Sequence, residues 1–175
     1  MLKFLPLLFL LSILSCDGNT KARKAARGEN FVPDPNYLFF TNTRQQQYRL
    51  VSAGEAGNYF THDDLLNSDA ALVPVIHDDW LDDRAYLQLH TRKTGASPTP
   101  SGPIELLITS PTGDNQVTLP AKPDAAALGQ LDNHLSTNRP VRIILGQDTL
   151  DAFPGLAREQ AREAIFDYLR LIDQK

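Results

Sequence analysis

The first sixteen residues constrain the possible folds most. They have the pattern of a segment that is cleaved from the folded domain, and they contain the only cysteine, so the chain cannot form an internal disulfide. Lys3 precedes an apolar run from Leu5 to Leu14, and the only cysteine of the chain follows at Cys16. Such a run has the length of a signal-peptide core and is too short to cross a bilayer as a stable helix. We therefore predict that residues 1–15 are a signal peptide and that a hydrophobic core alone stabilises the domain.

The end of this run resembles the lipobox of bacterial lipoproteins. It reads Ile13-Leu14-Ser15-Cys16: an aliphatic residue, a tolerant position, a small residue and the cysteine. The resemblance covers four residues and implies that Cys16 carries lipid, which would tether the protein to a membrane through two or more acyl chains. Asp17 resembles the inner-membrane retention signal of enterobacterial lipoproteins. Other bacterial groups do not follow that rule, so both envelope membranes stay open as the location.

The next segment has the composition of a flexible linker. Residues 17–36 are rich in polar residues and include two glycines and two prolines, and twenty such residues reach roughly 25 Å. We predict a lipidated cysteine and linker over 16–36 and a single domain over 37–175, which is long enough to bury its own core. The formal net charge is −4 at pH 7, which argues against a nucleic-acid partner because phosphate binding needs a basic surface.

The domain sequence predicts strands first and helices towards the end. Apolar, aromatic or alternating residues indicate strands at 37–40, 46–52, 72–76, 85–90 and 141–145, and a β-hairpin at 104–119. Pro74 suits an edge strand, because proline removes a ladder donor. Residues 61–66 read as a helical turn with a capping box formed by Thr61 and Asp64. Helices follow at 124–137, with Asp124 as N-cap, and at 154–172.

This order predicts an α+β fold, in which an antiparallel or mixed sheet carries helices on one face. The last helix should bury one apolar stripe against a sheet formed by the strands at 85–90, 104–108 and 141–145. The stripe consists of Ala161, Ile165, Tyr168, Leu169 and Ile172.

An acidic segment is the first candidate site. An imidazole and four carboxylates lie within seven residues, and oxygen ligands of this kind suit a hard divalent cation. They are His77, Asp78, Asp79, Asp82 and Asp83. The spacing does not match a calcium-binding EF-hand loop. A short helical turn with acids at its N-terminus explains the same residues, and we favour that capping interpretation.

A second candidate is an aromatic surface for a sugar or a peptide. Within residues 36–48, Tyr37 and Arg44 combine an aromatic face with a cation, as binding surfaces often do. The simpler interpretation of that segment is a buried first strand whose aromatic residues fill the core. Trp80, the only tryptophan, is either a core residue or a binding contact, and we favour partial burial. The other histidines, His62, His90 and His134, do not show the spacing of a zinc enzyme, and His90 is expected to face solvent.

No catalytic motif occurs in the sequence, and we expect no cofactor. The leading hypothesis is therefore a membrane-anchored envelope lipoprotein that acts as a non-enzymatic accessory or binding protein. Its partners would be the membrane, through lipid on Cys16, and an envelope protein. The alternatives are a lipid-anchored hydrolase that uses the acidic segment at 77–83, or a small-ligand carrier with a sizeable apolar pocket. The sequence does not indicate an oligomeric state.

Overall fold

A computed structural model describes residues 38–52, 57–79, 84–93 and 95–172 of the chain. These residues belong to one compact unit that begins at Pro35. The predicted signal peptide, Cys16 and the predicted linker lie outside the described residues. No helix among the described residues is long and apolar enough to cross a membrane.

Within the described residues, two antiparallel sheets and three α-helices form an α+β fold, as the sequence predicts. The five-stranded sheet has the order β1-β2-β3-β4-β5 and the four-stranded sheet the order β7-β6-β8-β9. The strands are β1 (Tyr48–Ser52), β2 (Asn58–His62), β3 (Leu72–Asp79), β4 (Arg84–Thr91), β5 (Thr99–Pro100), β6 (Ile104–Ser110), β7 (Gly113–Leu119), β8 (Val141–Leu145) and β9 (Asp148–Asp151). The helices are α1 (Asp63–Asn67), α2 (Ala125–Ser136) and α3 (Ala157–Ile172).

Local chemistry sets the ends of these elements. Asp124 is the N-cap of α2, as predicted, and its Oδ1 accepts from the Ala127 N–H at 2.8 Å. Asn138 follows α2 with φ 54°, a left-handed conformation that asparagine tolerates at a helix C-terminus. Gly146 has φ 68° in the two-residue turn that joins β8 to β9, where positive φ at the first position favours glycine.

The core lies between α3 and the five-stranded sheet and extends to the second sheet. Helix α3 packs against β2, β3 and β4, and α2 packs against α3. Two backbone hydrogen bonds extend the five-stranded sheet beyond its own ladder. The N–H groups of Leu72 and Leu89 donate to the carbonyl oxygens of Ala152 and Ala121 at 3.2 and 2.9 Å. All these elements share one cluster of buried apolar residues.

Three expectations about the N-terminal half of the domain are wrong. Residues 38–47 are helical, with a π-helical turn over Phe40–Arg44 and a 3₁₀ turn over Gln45–Gln47, so the predicted strand at 37–40 does not form in its described part. Strand β3 is central rather than an edge. Pro74 has no N–H to donate, but none is needed at its position in the sheet. On one side, β3 pairs with β2 only as far as Val75. On the other side, Leu89 lies opposite Pro74 and donates its N–H to the Ala121 carbonyl rather than to β3.

The N-cap of α1 is also not the residue expected. His62 is the cap, and its Nδ1 accepts from the Asp64 N–H at 3.3 Å, so Thr61 does not close a capping box. Helix α3 does dock on a sheet. The strands at 104–108 and 141–145, however, lie in the second sheet, and Leu171 is buried more deeply than Leu169.

Candidate functional site

Three aromatic side chains form a ladder across the middle of the five-stranded sheet. His77 on β3 pairs with Tyr59 on β2 and with Tyr86 on β4, so all three side chains share one face. The ring centroids of His77 and Tyr86 are 4.4 Å apart in a stacked arrangement, and those of His77 and Tyr59 are 4.2 Å apart. We call this set, together with His90, the histidine–tyrosine face.

The same face carries further basic groups. His90 on β4 brings its ring centroid to 6.4 Å from that of His77. Lys122, in the segment between β7 and α2, places its Nζ 3.7 Å from the centroid of the Tyr86 ring, a cation–π contact. The hydrogen bond from the Leu89 N–H to the neighbouring Ala121 carbonyl holds that segment against β4. Two histidines and a lysine therefore meet at one aromatic surface.

Three ring nitrogens on this face are buried without hydrogen-bond partners. His77 is 7% exposed, and neither of its ring nitrogens has a partner, nor does Nε2 of His90. Burial lowers the pKa of His77 to about 4, and the nearby charges of His90 and Lys122 lower it further. Burial also lowers the pKa of His90. Both rings are therefore neutral near pH 7, with electron pairs available to a ligand.

A second polar cluster joins the start of the domain to α3, and we call it the Arg44 cluster. Arg44 Nε donates to Oδ1 and Oδ2 of Asp167 at 3.1 and 2.8 Å, and Arg44 Nη2 donates to Glu163 Oε2 at 3.0 Å. The Tyr48 hydroxyl donates to Asp167 Oδ2 at 2.7 Å. His62 Nε2 lies 3.4 Å from Glu163 Oε2. The Nδ1 of His62 accepts the hydrogen bond that caps α1, whereas its Nε2 makes no hydrogen bond despite its proximity to Glu163.

The electrostatics of the Arg44 cluster indicate a structural role. Burial lowers the pKa of Arg44, but its hydrogen bonds to Asp167 and Glu163 outweigh that effect, so the pKa is raised overall. Burial raises the pKa of Tyr48, and the charge of Asp167 raises it further. Arg44 therefore stays charged and Tyr48 stays neutral near pH 7. The cluster fastens the π-helical turn and β1 to α3.

Arg92 is a buried cation, and its side chain binds backbone carbonyl groups. Its guanidinium donates to four carbonyl oxygens at 2.6 to 2.9 Å, which belong to Leu65, Leu66, Ser68 and Ala70. Carbonyls at the end of α1 lack helical partners, and the arginine supplies them. Arg92 therefore caps a helix and a loop.

The candidate residues from the sequence are dispersed by the fold. His77 and Asp78 are consecutive on β3, so their side chains lie on opposite faces of the sheet. The helical turn favoured for the acidic segment is wrong at His77, Asp78 and Asp79, which are the end of a strand. The side chain of Asp79, and Asp82 and Asp83, lie outside the described residues. Within the described ranges, no three His, Cys, Asp or Glu residues group as metal ligands.

The predicted aromatic surface is only partly described. Tyr37 and Trp80 lie outside the described residues, whereas the side chain of Arg44 is 17% exposed and is paired with two carboxylates. His90 is half-buried on the histidine–tyrosine face, so the expectation that it faces solvent is wrong. Its position next to His77 is not visible in the sequence, because the strand pairing that joins β3 to β4 sets it.

Comparison of the chain with protein-family models, with curated proteins and with solved structures gave no significant match.

Proposed function

We propose that this chain is a lipid-anchored protein of a bacterial cell envelope, tethered through Cys16, whose domain is an accessory or binding module. The observation that carries the anchor is the sequence Ile13-Leu14-Ser15-Cys16 at the end of an apolar run preceded by Lys3. A thiol at that place is suited to thioether formation with a lipid. Two or more acyl chains then give attachment that a single chain does not.

The domain supports a binding role through the histidine–tyrosine face. Neutral imidazoles without hydrogen-bond partners carry an uncompensated desolvation cost, which a bound ligand would relieve. The surrounding tyrosine rings provide rigid walls with little conformational entropy to lose. Such a preformed surface is suited to recognition.

Neither alternative receives comparable support from the described residues. A hydrolase built on the acidic segment needs its imidazole and carboxylates on one side of the sheet. His77 and Asp78, the two residues of that segment whose side chains the structure describes, lie on opposite sides. The acids of the Arg44 cluster are already bound to a guanidinium. A small-ligand carrier needs an apolar cavity. Two cavities among the described residues, of about 350 and 300 Å³, have four and seven charged residues in their linings.

Labelling with a fatty-acid analogue tests the anchor. The full chain is produced in a bacterial host with an alkyne-bearing fatty acid, and label and membrane fractionation are measured together. We expect the wild type to be labelled and membrane-bound, and Cys16→Ser to lose both properties. Ser15→Ala is the matched control and should keep the label, because alanine is also small. A labelled Cys16→Ser chain, or equal membrane retention, would contradict the proposal.

A further inference from the structure

We propose that the chain forms a symmetric dimer in which strand β1 of one copy pairs with β1 of a second copy. The two five-stranded sheets then form one continuous sheet across a two-fold axis. This pairing concerns the edge of the sheet and does not depend on how the chain is anchored.

The unpaired edge of β1 is the first reason. β1 is the first strand of the five-stranded sheet, and no strand in the described part of the chain pairs with its outer side. Alternate residues of such a strand direct their N–H and C=O groups away from the sheet, where another strand can bind them. The ladder with β2 and the hydrogen bond from the Tyr48 hydroxyl to Asp167 hold β1 in place. The edge is therefore preformed, which reduces the ordering cost of binding.

The composition of this edge is the second reason. Leu50 is 45% exposed and Val51 is 54% exposed, and these neighbours lie on opposite faces of the sheet. The charge that β1 carries belongs to Arg49, and its ion pair with Asp63, which follows β2, draws it away from the unpaired edge. The other edge strands among the described residues have features that discourage pairing. Strand β5 has two residues and a proline, β9 has two aspartates, and β7 has a polar sequence that includes Asp114.

The symmetry of the strand is the third reason, and it selects a second copy as the partner. In an antiparallel pair with Leu50 opposite Leu50, all five residues of each β1 are paired, and Arg49 lies opposite Val51. A pair centred on Arg49 would pair fewer residues and place two arginines directly opposite, which destabilises a strand pair. One register therefore satisfies the whole edge, and its two-fold symmetry closes the assembly at two chains.

The size of the contact sets the affinity. A pair of five-residue strands is smaller than the roughly 800 Å² that each partner buries in a standard interface. We therefore expect a weak dimer, with a dissociation constant between about 1 μM and 1 mM. A covalent trap is suited to such a pair.

Disulfide trapping tests the register. Cys16→Ser removes the only cysteine of the chain, and single cysteines are then introduced into the purified full chain. Leu50→Cys places two thiols opposite each other at a Cα separation of about 4.5–5.5 Å, which a disulfide can span. Mild oxidation should crosslink Leu50→Cys about tenfold or more faster than Phe166→Cys, the matched control at an exposed position of α3. A mixture of Arg49→Cys and Val51→Cys should crosslink mainly as unlike pairs.

A second measurement separates pairing at this edge from other association. Leu50→Lys places two ammonium groups opposite each other at the two-fold axis, which should weaken the dimer about tenfold or more. Sedimentation velocity up to about 1 mM protein measures the change. Leu156→Lys, at an 80% exposed position just before α3, is the matched control and should dimerise as the parent does. Far-ultraviolet circular dichroism should show both variants folded, because both side chains are exposed.

Three results would overturn the proposal. They are equal crosslinking of Leu50→Cys and Phe166→Cys, a parent chain that stays monomeric over the whole concentration range, and unchanged dimerisation of a folded Leu50→Lys.

Discussion

Removal of the Asp167 carboxylate should destabilise the domain strongly, because this group holds the Arg44 cluster together. Its side chain is 2% exposed and that of Arg44 is 17% exposed. In Asp167→Ala, Arg44 loses two contacts and the Tyr48 hydroxyl loses its acceptor. Breaking one partner of a buried ion pair costs about 3–5 kcal/mol. Arg44 keeps Glu163, so we expect the lower end, about 3 kcal/mol, of a total stability of about 5–15 kcal/mol.

Urea unfolding followed by far-ultraviolet circular dichroism measures this loss in the Cys16→Ser background. The matched control is Asp114→Ala, which breaks the ion pair between Arg142 Nη2 and Asp114 Oδ2. That pair is shorter, at 2.6 Å, but its side chains are 41% and 40% exposed. Solvent screens such pairs, so the control should lose about 0–1 kcal/mol. Equal losses in the two variants, or a loss under about 1 kcal/mol for a folded Asp167→Ala, would refute the argument that burial decides the magnitude.

Two further predictions follow from His77 and from α3. The pKa of His77 falls from 6.5 to about 4 on folding, so the unfolded chain takes up this proton first as the pH decreases. The contribution of the neutral His77 ring to the free energy of unfolding is about 3 kcal/mol at most. It is complete above pH 6.5 and is lost as the pH falls towards 4. Melting curves at pH 7.5 and 4.5 should therefore differ less for His77→Phe than for the parent, and an identical pH dependence would contradict this. Ile165→Ala should cost about 2–5 kcal/mol because Ile165 is fully buried, whereas Phe166→Ala on the exposed side of α3 should leave the unfolding midpoint nearly unchanged.

Local patterns predicted the elements that local chemistry controls. The spacing of Leu128, Leu131 and Leu135 predicted α2, and all three are buried. The hairpin at 104–119 and the strand at 141–145 formed as expected. Strand β9 was missed, although Gly146 followed by Gln147 is the kind of two-residue turn that joins strands. Its short polar sequence, Asp148–Asp151, carries little apolar alternation.

The properties that the sequence could not predict depend on long-range pairing. Pro74 indicated an edge strand, but strand order placed β3 in the centre. The aromatic and apolar residues at 37–40 suggested a strand, yet Phe40 is buried in a π-helical turn against Tyr48 and Phe60. The register of β3 against β4 places His77 opposite Tyr86 and His90 opposite Val73, on the same face of the sheet, where the two imidazole centroids come within 6.4 Å. A candidate site of this kind becomes visible only when the strands are placed together.

The mass of the protein's mature N-terminus tests the central proposal most directly. Intact-mass spectrometry of the protein extracted from bacterial membranes identifies both the first residue and any lipid on it. The proposal predicts a chain that begins at Cys16 and carries a diacylglyceryl group with an amide-linked acyl chain. A chain that retains Met1, or one that begins at another residue without lipid, would contradict it.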